Sequence, residues 1–230
     1  MSREYTACTD NAIKGFLSAL AEKSTVVEKY KDSMYQLGLR HGQLLTETLK
    51  GKKICLACTV EDADYLAKGI AEAIEPSVSS LSIACFWNKR IVGDEFIATT
   101  APVLKQYIEP GCIDADVIVV VKSIISGACV VKTNLTTLIQ NANPQTIFVV
   151  APVIRFGAEE RLSREFPESV SNKFKYRYFA TDTDCEPETG EVIPGIGGNV
   201  YQRLGFGDQE GKNRYTPDLV RVRRATFASV

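Results

Sequence analysis

No stretch of the 230-residue sequence approaches the ~20 consecutive apolar residues that a membrane-crossing helix needs. The opening Met1-Ser-Arg-Glu-Tyr5 lacks a signal-peptide pattern, so no membrane association and a cytoplasmic location are expected. A marked excess of either charge is also missing. The formal net charge is −1, which argues against a generalised phosphate-binding surface, and nucleic acid is not an expected partner. Repeats and low-complexity segments are absent. With 45% hydrophobic and 24% charged residues the composition is that of an ordinary globular protein, long enough for one well-buried core and short for two full domains. The sequence has a single histidine, His41, and no second C-x-x-C to join Cys55 and Cys58 in a zinc site. Both cysteines fall in the apolar run Ile54–Thr59, and Cys85 and Cys129 lie in or beside other such runs. There reduced cysteine acts as a small hydrophobe, so core cysteines in a reducing compartment are expected rather than a metal or redox pair.

What is present has an order. Residues 1–50 read as a helical segment. Thr25 and Glu28 have capping-box spacing, and Val26, Tyr30, Met34, Leu37, Leu44 and Leu45 recur at roughly helical intervals before a stop at Lys50-Gly51. His41 falls here, with packing or surface exposure its expected role. After Gly51 the period changes. Short β-branched runs at Ile54–Thr59, Leu81–Trp87, Val117–Val121, Thr146–Val150 and Tyr176–Ala180 alternate with helix-length segments such as Ala63–Ile74 and Lys132–Gln140. That alternation predicts βαβ units and a mainly parallel α/β sheet covered on both faces, with Val117–Val121 central. Ligands of such sheets bind at the carboxyl ends of strands, which selects residues 59–64, 88–94, 122–129, 151–157 and 181–198. The tail from Gly211 holds five basic residues against one acid, and Leu219-Val-Arg-Val-Arg-Arg224 alternates as a half-exposed or edge strand would. A solvated face is the default reading of that strand, and docking on a protein partner the alternative.

One of these strand ends has the form of a phosphate cradle. Lys122-Ser-Ile-Ile-Ser-Gly-Ala-Cys129 joins the central strand to a helix, and in such a turn backbone N–H groups and the helix dipole converge. Ser123, Ser126 and Gly127 would supply donors and close approach. A tight turn with nothing bound fits the same residues.

The segment Ile124-Ile125-Ser126-Gly127-Ala128-Cys129 resembles the L-A-T-G-G-S part of the phosphoribosyltransferase loop D-P-M-L-A-T-G-G-S. Farther on, Ala180-Thr-Asp182 and Gly190-Glu-Val-Ile-Pro194-Gly195-Ile196-Gly197 resemble the closing segment of uracil phosphoribosyltransferases, around G-Y-I-V-P-G-L-G. Ala151-Pro152, Gly157 and Phe166-Pro167 resemble further elements of that family. The resemblance spans about residues 51–207, which it makes a core with a small C-terminal hood; residues 1–50 and the basic tail 208–230 flank it within a single domain. It implies a sheet of the phosphoribosyltransferase type and a nucleotide or phosphoribosyl-type ligand. The 5′-phosphate would lie on Ser123, Ile124, Ile125, Ser126, Gly127, Ala128 and Cys129, and the base on Val192, Ile193, Pro194, Gly195 and Gly197. By analogy a homodimer is expected.

The departures from the family pattern fall where the chemistry should be. Its acidic pair is replaced by Val121 and Lys122, and the acid after P-G-L-G by Gly198. In place of the diphosphate-binding L-R-A-G stands Thr59-Val-Glu61-Asp62-Ala-Asp64. Three carboxylates repel a diphosphate unless a metal intervenes. Glu61, Asp62 and Asp64 thus either bind Mg²⁺, with Asp62 and Asp64 as its ligands, or a cationic group, or they cap the helix that starts near Ala63. The expected function is that of a relative that has lost standard transfer and serves as a nucleotide-binding or assembly subunit, in the manner of some bacterial regulatory or defence proteins. The alternative is an active phosphoribosyltransferase that joins a pyrimidine-like base to phosphoribosyl pyrophosphate.

Overall fold

The computed structural model describes residues 3–91 and 100–228. Of the strand-end segment 88–94, residues 92–94 lie outside the described residues. The chain opens with β1 (Arg3–Tyr5), α1 (Asn11–Ala21) and α2 (Val27–Leu49). β2 (Lys53–Thr59), α3 (Lys68–Ile74), β3 (Ser80–Asn88) and β4 (Val103–Ile108) follow. Next come β5 (Val117–Val121), β6 (Ile124–Ile125), α4 (Cys129–Ile139), β7 (Thr146–Val150) and β8 (Val153–Arg155). The last third holds α5 (Ala158–Arg164), α6 (Glu168–Ser171), β9 (Phe174–Arg177), β10 (Ala180–Asp182), β11 (Asp184–Cys185) and β12 (Val192–Ile193). It closes with α7 (Val200–Arg203), α8 (Gln209–Arg214) and α9 (Asp218–Ala228).

A six-stranded sheet runs β4-β3-β2-β5-β7-β9, parallel throughout except for β4 at its edge. This is the mainly parallel α/β sheet with flanking helices that the apolar runs call for. β5 is buried along its whole length, because alternate residues feed two cores. Val117, Val119 and Val121 join the cluster containing α1, α2 and α3. Ile118 and Val120 join the cluster under α4 and α5. β2 pairs with β3 on one side and with β5 on the other, so the connections diverge between β2 and β5 and leave a crevice at their carboxyl ends.

Several local expectations need correction. Within the segment 1–50, the described residues 3–50 hold a strand and two helices rather than one helix. α1 is capped by Asp10, whose carboxylate accepts from Ile13 N, whereas α2 begins at Val27 behind Val26 with no side-chain cap. The Thr25–Glu28 spacing is therefore not a capping box. The run Tyr176–Ala180 is split between β9 in the large sheet and β10 in a second sheet ordered β1-β10-β8-β6. His41 is a core residue: it stacks on Phe179 with ring centroids 3.8 Å apart, and burial pulls its pKa down to about 3, so it stays neutral. Cys55, Cys58 and Cys85 are buried free thiols in the sheet. No helix among the described residues is long and apolar enough to cross a membrane.

The largest correction concerns the tail. Leu219–Arg224 is not a strand but part of helix α9, so Arg221 and Arg223 do not share a face. Successive helical residues turn by ~100°, and two positions separate these arginines by more than a right angle. Arg221 is exposed and pairs with Asp218. Arg223 turns inward: its Nε and Nη2 each donate to a Glu109 carboxylate oxygen at 2.7 Å. Glu109 is 1% exposed and also accepts from Ile83 N. Asp64 caps the start of α9 by accepting from the N–H groups of Asp218 and Leu219. An alternating sequence becomes helical because Val220 is buried, Leu219 packs on the core, and the acids sit at the positive end of the helix dipole. Arg223→Ala is expected to cost about 2 kcal/mol by leaving Glu109 buried without its cation, discounted for the partial exposure of the arginine. Arg221→Ala should stay within about 0.5 kcal/mol of wild type. Equal, small losses for the two variants in urea unfolding would contradict this assignment.

Candidate functional site

The crevice between β2 and β5 opens into a cleft of about 210 Å³. One wall is the turn between β5 and α4, where Ser123, Ile124, Ser126, Gly127 and Cys129 reach the cleft. Ile125 turns into the core and Ala128 packs against it, so neither is among the lining residues. Ser123 is itself buried, and its N–H is committed to Asp62 Oδ1 at 3.1 Å. The more open part of the turn is Ser126–Cys129. A Cβ added to Gly127 would meet no atom within 4 Å, and α4 starts behind Ala128 with no side-chain cap. Arg161 Nη2 donates to Ser126 O at 3.3 Å and steadies the turn from α5.

The facing wall is the hood. Of the residues expected to meet a base, Val192 lines the cleft, as do its neighbours Glu191, Ile196 and Gly198. Ile193, Pro194, Gly195 and Gly197 do not line it. They shape and fasten the loop. Gly195 has φ +54° and its N–H donates to Asp182 Oδ2 at 2.8 Å. Asp182 is fully buried and held by Arg3, which also donates from Nη2 to Gly195 O. A Cβ on Gly197 would lie 2.3 Å from Leu20 O, so that glycine lets the loop rest on α1. Tyr30 OH donates to Ile196 O at 3.0 Å. The Ala180-Thr-Asp182 and Pro-Gly elements thus act as one anchor, which ties the hood to β1 and the N-terminal helices.

The floor carries the charge. Lys122 Nζ sits 2.8 Å from Asp62 Oδ2 and 3.3 Å from Glu61 Oε1. Lys212, from α8, donates to Asn88 O at 2.8 Å and stands 3.8 Å from Glu61 Oε2. Burial lowers the pKa of Lys122, but the two carboxylates outweigh this and hold it above the usual lysine range. For Lys212 desolvation wins and its pKa falls. Burial likewise raises Asp62, and repulsion from Glu61 adds to this against the pull of Lys122, so the net shift is upward.

The loop carboxylates are thus occupied in ways the sequence did not show. Asp62 accepts from Lys122, Ser123 N and Thr59 Oγ1, and makes no side-chain cap to the turn at Ala63–Ala67. Asp64 accepts from Tyr215 OH and the first N–H groups of α9, so it caps a helix remote in sequence rather than the one beside it. Both acids considered for Mg²⁺ are committed to protein donors. Among the described residues no group of three or more His, Cys, Asp or Glu side chains is placed to hold a metal ion. These carboxylates do not fit the ion as they stand. Arg90, from the selected strand end 88–94, lines the cleft, as do Asn199, Tyr201, Gln209 and Lys212, which were not singled out from the sequence as site residues. Two of them come from the tail, where only the count of basic residues hinted at a role.

No family model matches the chain, and no curated protein matches it. Among solved structures it is similar in fold to the AQ2163 protein from Aquifex aeolicus, at 13% identity and a TM-score of 0.63, over 84% of this chain and 94% of that one. A hypoxanthine phosphoribosyltransferase from Staphylococcus aureus overlaps more loosely, at 12% identity and a TM-score of 0.43, over 72% of this chain and 90% of that one. At 13% identity the likeness to the AQ2163 protein is one of fold.

Proposed function

We propose that the chain is a phosphoribosyltransferase-like protein that binds a nucleoside monophosphate in this cleft and does not carry out phosphoribosyl transfer. The observation that carries this reading is the Lys122 ion pair. Where the resembled family has acids at the end of the central strand, this chain has an ammonium, and the preceding loop supplies Glu61 and Asp62 to neutralise it. Transfer from phosphoribosyl pyrophosphate demands stabilisation of charge on a leaving diphosphate. A lysine already neutralised by two carboxylates has little positive charge left to offer such a group. A single phosphate needs less. The positive end of α4 and the space above Gly127 suit it. Val192 and Ile196 would give the base an apolar wall.

With uracil, phosphoribosyl pyrophosphate and Mg²⁺, the protein is expected to form no uridine monophosphate above background. Turnover at an ordinary enzymatic rate, about 1 s⁻¹ or faster, would contradict the reading.

A further inference from the structure

The hood carries an acid that its anchoring leaves unused. Where the resembled segment G-Y-I-V-P-G-L-G has its tyrosine, this chain has Glu191. The backbone of Glu191 is held within the β11–β12 hairpin: its N–H donates to Thr189 Oγ1 at 3.2 Å, and its carbonyl accepts from Glu186 N at 2.8 Å. The residue is half-buried and lines the cleft, together with Thr189, Gly190 and Gly198. Its Oε2 is the atom that a Cβ on Gly198 would meet, at 3.8 Å, so the carboxylate itself stands beside another cleft-lining residue. Among the described residues that carboxylate makes no hydrogen bond or ion pair. Residues 183–191 contain no basic side chain to neutralise it.

A carboxylate accepts hydrogen bonds and offers none, so the ligand group that meets it must carry a proton. Charge decides which end of a nucleotide that is. The phosphate belongs at the turn, beside the positive end of α4, and is repelled by Glu191 on the facing wall. The base then points to the hood, led by the edge farthest from its bond to the sugar. On a pyrimidine that edge bears the substituent at position 4, and on a purine the substituent at position 6. In uracil and hypoxanthine this group is a carbonyl oxygen, whose lone pairs oppose those of Glu191. In cytosine and adenine it is an amino group. An amino group donates to a carboxylate in a charge-assisted bond, the pairing by which Glu and Asp read cytosine in nucleic acids.

We infer that Glu191 selects nucleotides whose base carries an exocyclic amino group, by accepting a hydrogen bond from that group. Cytidine monophosphate is then favoured over uridine monophosphate, and adenosine monophosphate over inosine monophosphate. This inference rests on the nucleotide-binding reading above, and the test separates the two. The full-length protein is titrated calorimetrically near neutral pH with all four compounds. Of each pair that it binds, wild type is expected to hold the amino member at least about tenfold more tightly than the oxo member. In Glu191→Gln the gap should close to within about twofold, because a carboxamide turns its NH2 to a carbonyl or its oxygen to an amino group. Equal affinities within the pairs, or a preference for the oxo member, overturn the role of Glu191 and leave the nucleotide site standing. A gap that persists in Glu191→Gln shows that another group reads the base, and also overturns it. If wild type binds none of the four, both readings fall. Should Glu191→Gln not fold, Glu191→Ala is the second variant, and the gap should close there as well.

Discussion

Replacing Lys122 with methionine is expected to lower stability by about 4 kcal/mol near neutral pH, about twice the loss expected for Arg223→Ala. The side chain keeps its volume, so packing is nearly conserved and the loss is electrostatic. Asp62 and Glu61 would remain ionised and close together, with Lys212 the nearest remaining cation at 3.8 Å from Glu61. The pKa of Asp62, already raised by burial, would rise further, and that of Glu61, raised by burial but held down overall by the two lysines, would rise as well. A group raised in this way contributes stability below its unfolded pKa and loses it as pH climbs through the folded value. The deficit of Lys122→Met should therefore shrink as pH falls from about 7 towards 5. Adding Asp62→Asn to the variant should restore part of the loss, and unfolding curves of the four proteins give the coupling directly. A pH-independent deficit, or no recovery in the double variant, would mean that Lys122 acts through packing alone.

The sheet was the most legible part of the chain because its strands are buried on both faces. Runs such as Val117–Val121 then carry no polar residue, and the observed bounds of β5 and β7 match the apolar runs. Legibility fell where one pattern serves two structures. Leu219-Val-Arg-Val-Arg-Arg224 alternates like a strand, yet α9 is fixed by Asp64 and Glu109, partners more than a hundred residues away. The apposition of α2 and α3 was equally hidden. A Cβ on Gly38 would lie 2.1 Å from Leu66 O, and one on Gly69 would lie 2.4 Å from Tyr35 O. In the sequence these glycines read only as weak helix positions.

For the site, the turn at Ser123–Cys129 and the hood could be found because each is a contiguous segment with its own local grammar. The floor could not. Glu61, Lys122 and Lys212 meet from three separate segments, and a carboxylate loop reads as repulsive to phosphate until the lysine that neutralises it is placed beside it. The hood glycines show the reverse case: a recognisable motif whose Gly195 and Gly197 serve to bring backbones together rather than to touch the cleft.

The central claim, that the turn before α4 holds a phosphate, is tested most directly at Gly127. This residue lines the cleft, has no positive φ, and has open space where a Cβ would go. Valine should therefore be accepted by the fold while its methyl groups fill the room that a phosphate oxygen needs. Gly127→Val is expected to keep its thermal midpoint within a few degrees of wild type, a change of roughly 1 kcal/mol or less. Its affinity for uridine monophosphate in a calorimetric titration should fall at least about a hundredfold. Affinity that is unchanged in a variant of unchanged stability would contradict the claim and place any phosphate elsewhere.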